Sequence, residues 1–97
     1  MRILDKIKVA IAEDDFRIAD IHEKFLEKFK EIDVVGKSLN GEQTLQLLEQ
    51  KTPDLLLLDV YMPDMLGSEL LPIIRGNFPK VSIIMITAAT DKVFLEK

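Results

Sequence analysis

Four acidic residues and one hydroxyl, all at the ends of apolar stretches, are where this sequence can do chemistry. Glu13, Asp14 and Asp15 follow the apolar stretch Ile7–Ala12, Asp59 ends a run of four leucines, and Thr87 ends the apolar stretch that begins at Val81. A carboxylate at the end of a buried strand is costly unless it finds partners. Several carboxylates brought together also repel, and each prefers to be neutral unless a cation lies between them. A hard divalent ion resolves the repulsion, and carboxylate, carbonyl and water oxygens suit Mg2+, which usually keeps several waters. Asp59 would then be both a ligand and a candidate nucleophile, since carboxylates form acyl phosphates when a metal neutralises the incoming phosphoryl group. Thr87 would offer a hydroxyl hydrogen bond to a phosphoryl oxygen, and the small Ala88 would leave room for the group.

The elements that must position these residues follow from two alternating periods. "IKVAIA" (Ile7–Ala12) is short, apolar and β-branched, the pattern of a buried strand. Ile18, Ile21, Phe25, Leu26 and Phe29 then recur at helical spacing, with Asp15 placed to cap that helix. "DVVG" (Asp33–Gly36) is a weaker strand, and "NGEQTLQLLEQ" a short helix with Asn40 as cap and Gln43 reaching back. Leu55–Val60 is a third strand. A third helix is expected from about Glu69 to Arg75, with Ser68 as cap, Pro72 near its first turn, and Gly76 and Pro79 as stop signals. Val81–Thr87 is a fourth strand, and "DKVFLEK" has the character of a fourth helix beginning.

Strand–helix alternation with such apolar strands indicates an α/β fold, a parallel sheet with helices on both faces. Ligands in such sheets bind beyond the carboxyl ends of the strands, where Glu13, Asp14, Asp59 and Thr87 all fall. Ninety-seven residues support one domain. Lys plus Arg is 13 and Asp plus Glu is 17, a net charge of −4, which argues against this segment itself gripping nucleic acid. The chain has no cysteine, so thiolate metal sites and disulfides are excluded. No apolar run reaches membrane-spanning length and the charged start resembles no signal peptide, so the expected setting is the cytoplasm.

"IAEDDFRIADIHEKF", "LLLLDVYMPDMLG" and "IIMITAA", in that order, resemble the receiver domain of bacterial two-component response regulators. The resemblance spans essentially the whole chain. It implies a flavodoxin-like, CheY-like doubly wound sheet in the order 2-1-3-4-5. It further implies Asp59 as phosphoacceptor, Glu13 and Asp14 as the acidic pair that holds Mg2+ with Asp59, the main-chain carbonyl of Tyr61 as a further ligand, and Thr87 as the switch hydroxyl. The donor would be a phosphohistidine on a sensor histidine kinase. "EDDFRIADIHEKFL" with "DVYMPDM" is similar to the branch that regulates citrate and C4-dicarboxylate metabolism, whose members usually control transcription through a C-terminal DNA-binding domain.

Two departures qualify the match. Leu66 stands where the family loop usually has Asp, and the chain ends before the family's fifth strand, its terminal lysine and its fifth helix. Residues 1–97 are therefore expected to be an incomplete receiver domain, with none of Lys80, Lys92 and Lys97 matching the phosphate-contacting lysine. Strand 4 would become an open apolar edge, and Phe25, Leu26 and Phe29 would lose cover, favouring a homodimer or other self-association through the strand 4/helix 4 region. Other readings stand beside these. Asp59 alone could be a loop cap, Asp15 reads as a helix cap rather than a ligand, and His22 as a packing residue. The domain could also be an aspartyl-nucleophile phosphatase, although Tyr61 occupies the position of the second acid such enzymes use, or a non-phosphorylated interaction module.

Overall fold

The structure, a computed structural model, describes residues 6–87 and 92–96. Apolar runs form β1 (Ile7–Ala12), β3 (Leu55–Asp59) and β4 (Ser82–Thr87), with β2 (Ile32–Ser38) outside β1. Three helices connect them: α1 (Phe16–Leu26), α2 (Gly41–Lys51) and α3 (Gly67–Asn77). With a last strand, β5 (Lys92–Glu96), the sheet runs β2-β1-β3-β4-β5, and its first four strands are parallel. Right-handed crossovers send a connection that moves one way along the sheet over one face and its opposite over the other. The step from β1 to β2 therefore places α1 opposite α2 and α3.

The two faces differ in cover. Alternate strand residues Ala10, Ala12, Leu56, Leu58, Ile83 and Met85 form one buried cluster with Leu48 of α2 and Leu70 and Ile74 of α3. On the α1 side Val9, Ile11 and Ala19 are buried, but Leu55, Leu57, Ile84 and Ile86 are only half-covered. Phe25 and Phe29 on this helix and its exit meet edge to face, 5.6 Å between centroids, and both are exposed, as the sequence suggested, while Leu26 is half-buried. Lys37 of β2 ties α1 down by pairing with Asp20 at 2.6 Å and Glu23 at 2.8 Å.

Edge strand β2 holds a bulge. Val9 pairs with Val34, yet the next residue Ala10 pairs with Gly36, so Val35 has no partner of its own in β1. The lack of a side chain at Gly36 admits α2, because a Cβ there would meet Leu47 Cδ1 at 2.5 Å.

Several expectations need correction. "DKVFLEK" does not open a helix: Lys92–Glu96 is β5, antiparallel to β4, with Thr87 opposite Lys92. An open strand edge offers unpaired main-chain groups. The four intervening residues suffice for an antiparallel return, whereas a parallel crossover needs about a dozen or more. A fifth strand is thus present where none was expected, and β4 is not an open edge. Helix α3 starts at Gly67 rather than near Glu69, and Ser68 is not its cap. The Gly67 N–H donates to the Val60 carbonyl at 2.6 Å, anchoring the helix start on the end of β3. Glu69 Oε1 accepts the Leu66 N–H at 2.9 Å. Pro72 consequently lies inside the helix, which ends on Asn77, past Gly76.

Candidate functional site

The carboxyl ends of β1 and β3 are neighbours because these strands pair in parallel, with Ala12 opposite Leu58. Glu13 therefore leaves β1 beside Asp59, the last residue of β3. Carboxylate oxygens of Glu13, Asp14 and Asp59 all lie within 4.8 Å of one another. Glu13 is buried, 8% exposed, its N–H donating to the Ser38 carbonyl at 3.0 Å and its carboxylate accepting the Asp15 N–H at 3.2 Å. Asp59 is half-buried and accepts the Tyr61 N–H at 3.2 Å. Asp14 is exposed.

Crowding shows in the acidities. Burial pushes Glu13 up to about 7; the Asp15 N–H opposes it as the next largest influence, and the neighbouring Asp14 and Asp59 carboxyls add to the rise. Burial also raises Asp59, the Tyr61 N–H opposing it and Asp14 adding to it. Acids held this way favour their neutral forms or a bound cation. The donors are hard, charged oxygens that converge on one point, which fits a small divalent ion such as Mg2+.

Asp15 stands apart. Its carboxylate caps α1, accepting the Arg17 N–H at 2.9 Å, and pairs with the Arg17 guanidinium at 3.2 and 3.0 Å. Those contacts hold it below the usual carboxylate range, the Arg17 side chain contributing most. The cap expected from its position is thus observed. Strand β4 brings the backbone of Thr87 to the same edge, since Asp59 pairs with Ile86 and the Val60 N–H donates to the Ile86 carbonyl at 3.0 Å. The Thr87 side chain and Ala88 lie outside the described residues.

The loop after β3 is closed by several contacts. Tyr61 and Leu66 form an isolated antiparallel bridge, closing residues 61–66 on themselves. Gly67 packs so closely that a Cβ would meet the Asp59 carbonyl oxygen and Val60 Cα, each at 3.0 Å. Asp64 reaches to the start of α2, Oδ1 accepting the Gly41 N–H at 2.7 Å and Oδ2 the Glu42 N–H at 3.1 Å. Nothing in the sequence ties Asp64 to a helix start 23 residues earlier. Below the loop, Ser38 Oγ and Thr44 Oγ1 share a buried hydrogen bond of 2.7 Å.

Comparison with known proteins agrees with this geometry. The chain is 50% identical over 91 residues to the transcriptional regulatory protein CitT of Bacillus subtilis (strain 168), covering 94% of this chain and 40% of that protein. It is 36% identical over 85 residues to the probable C4-dicarboxylate response regulator DctR of the same organism, covering 88% and 38%. The chain thus spans about 40% of the length of these curated relatives. Among solved structures, the isolated REC domain of RcsB from Salmonella enterica serovar Typhimurium, determined with the phosphomimetic BeF3-, superposes with a TM-score of 0.81 at 28% identity, over 86% of this chain and 62% of that one. The response regulator domain of Thermotoga maritima CheB shares the fold, with a TM-score of 0.83 at 23% identity over 90% and 64% of the two chains. The response regulator receiver domain matches residues 9–97, nearly the whole chain, and to that family this chain belongs.

Proposed function

We propose that this receiver domain is a phosphorylation switch in which Asp59 accepts a phosphoryl group from a phosphohistidine of a sensor histidine kinase. The convergence of Glu13, Asp14 and Asp59 carboxylates within 4.8 Å carries the proposal. Glu13, Asp14, Asp59 and the main-chain carbonyl of Tyr61 would hold Mg2+, which supplies charge neutralisation for the transfer. An Asp59 carboxylate oxygen attacks phosphorus, an O–P bond forms, the N–P bond of the donor breaks, and the imidazole departs. Thr87, whose backbone stands at the same sheet edge, would donate its hydroxyl to the transferred group beside Ala88. The added charge then biases a two-state element of the fold.

In this reading the domain assists its own phosphorylation without being a turnover enzyme. Residues 1–97 form the receiver part of a longer cytoplasmic regulator, which acts on genes for citrate or C4-dicarboxylate metabolism through a DNA-binding domain. The names and greater length of the CitT and DctR relatives support that assignment. No helix among the described residues is long and apolar enough to cross a membrane.

The test is incubation with Mg2+ and acetyl phosphate, followed by mass spectrometry. One hydroxylamine-labile phosphoryl group should appear, and Asp59→Asn should abolish it. Label that persists in Asp59→Asn would overturn the assignment.

A further inference from the structure

The first turn of α2 has two sets of caps. Within the helix, Asn40 Oδ1 accepts the Gln43 N–H at 2.8 Å and Gln43 Oε1 accepts the Leu39 N–H at 3.0 Å. Those contacts leave the Gly41 and Glu42 N–H groups without a partner from α2 itself. Both are taken by the Asp64 carboxylate, one oxygen each, from the loop that follows Asp59. The approach is tight: a Cβ on Gly41 would lie 3.3 Å from both Asp64 Oδ1 and Met65 Cβ. These contacts draw the Asp64 carboxyl below its usual range, the Gly41 N–H first.

The clamp acts on a short, closed piece of chain. Gly67 fixes the far end of the loop against β3, through its 2.6 Å bond to the Val60 carbonyl. The Tyr61–Leu66 bridge closes the middle, and Tyr61 donates its N–H to Asp59. Asp64 lies inside that bridge, so its hold on α2 constrains the residues on either side, Tyr61 among them.

We propose that Asp64 is a positioning residue, which holds the Tyr61–Leu66 loop against the start of α2 and so sets the cation affinity of the Glu13–Asp14–Asp59 site. This rests on the reading of that site as a Mg2+ centre. Because coupling between two sites is reciprocal, Mg2+ must in turn tighten the clamp.

The experiment uses the whole chain, with Mg2+ titrated by calorimetry against wild type, Asp64→Ala, Asp64→Asn and Asn40→Ala. Asn40→Ala removes a cap from the same helix without touching the loop. Asp64→Ala should weaken Mg2+ binding about tenfold, the low end of the losses seen when outer-sphere partners of metal ligands are removed. Asp64→Asn keeps one acceptor for the Gly41 N–H and should retain most of the affinity, while Asn40→Ala should leave it unchanged. Hydrogen exchange at the Gly41 and Glu42 amides should slow when Mg2+ is added to wild type. Equal loss in Asp64→Ala and Asn40→Ala would reduce Asp64 to a helix cap, and equal loss in Asp64→Ala and Asp64→Asn would reduce it to a charge. Unchanged affinity in Asp64→Ala, or exchange indifferent to Mg2+, would overturn the proposal while the metal site stands. No Mg2+ binding by wild type would overturn both.

Discussion

Gly67 touches the backbone of Asp59 so closely that a Cβ would stand 3.0 Å from its carbonyl oxygen. Val60 Cα lies at the same distance, so the obstruction is main chain that cannot rotate away. Gly67→Ala should therefore cost about 1–3 kcal/mol, the usual range for overpacking a filled site, and should also weaken Mg2+ binding by displacing the end of β3. Denaturant titration and calorimetry check both. A variant as stable as wild type would show that α3 can lift off β3 freely.

Stability of the metal-free protein should fall as pH rises from about 4.5 to about 7. Glu13 has an ordinary value of 4.5 and is raised to about 7 in the fold. The native state consequently binds more protons than the unfolded chain across that window, and stability declines with pH there. Asp59, raised in the same direction, adds to the slope. Mg2+ should restore the lost stability at pH 8, and Glu13→Gln should flatten the profile. Urea midpoints measured from pH 4 to pH 8, with and without Mg2+, give the slopes directly. A midpoint that rises through this window in the absence of metal would contradict the assignment.

Asp15→Ala should lower the thermal midpoint and leave Mg2+ affinity unchanged. Its carboxylate serves the Arg17 N–H and guanidinium at the start of α1, and losing an N-cap destabilises the helix it begins. A matching loss of metal affinity would place Asp15 in the cation site after all.

The Ser38–Thr44 pair offers a double-mutant cycle. Both residues are fully buried, and Thr44 Oγ1 also donates to the Asn40 carbonyl at 2.7 Å. Ser38→Ala and Thr44→Val should each cost about 1–3 kcal/mol, because each strands a buried polar partner. The double variant should cost less than the two losses together, since the cavity then holds no orphaned hydroxyl. Strict additivity would mean that the hydroxyls do not interact.

How much of this was legible in the sequence depends on how local the cause is. β1, β3 and β4 read directly, because strands buried on both faces are apolar throughout. Convergence of Glu13, Asp14 and Asp59 followed from parallel pairing, which brings successive strand ends to one edge. Asp15 was readable as a cap from its place just before an apolar helical stripe. The start of α3 was not, because its N-cap residue, Leu66, has no capping oxygen and Gly67 is set by its fit against β3. The role of Asp64 was hidden for the same reason: its partners lie on another helix and no periodicity records them. β5 was misread because "DKVFLEK" has no strong preference of its own, and the edge of β4 decides its pairing.

The bulge in β2 gives this edge strand spare length. Val34 and Gly36 already face Val9 and Ala10, the partners they would have in an even ladder without Val35. Excising that one residue would therefore regularise the strand instead of shifting it, leaving Ser38 opposite Ala12 and its carbonyl beneath Glu13. Loss of residue 35 is thus decoupled from the β1–β2 pairing that carries Glu13, so this outer edge can be shortened by one residue without moving the strand end on which the acidic cluster begins.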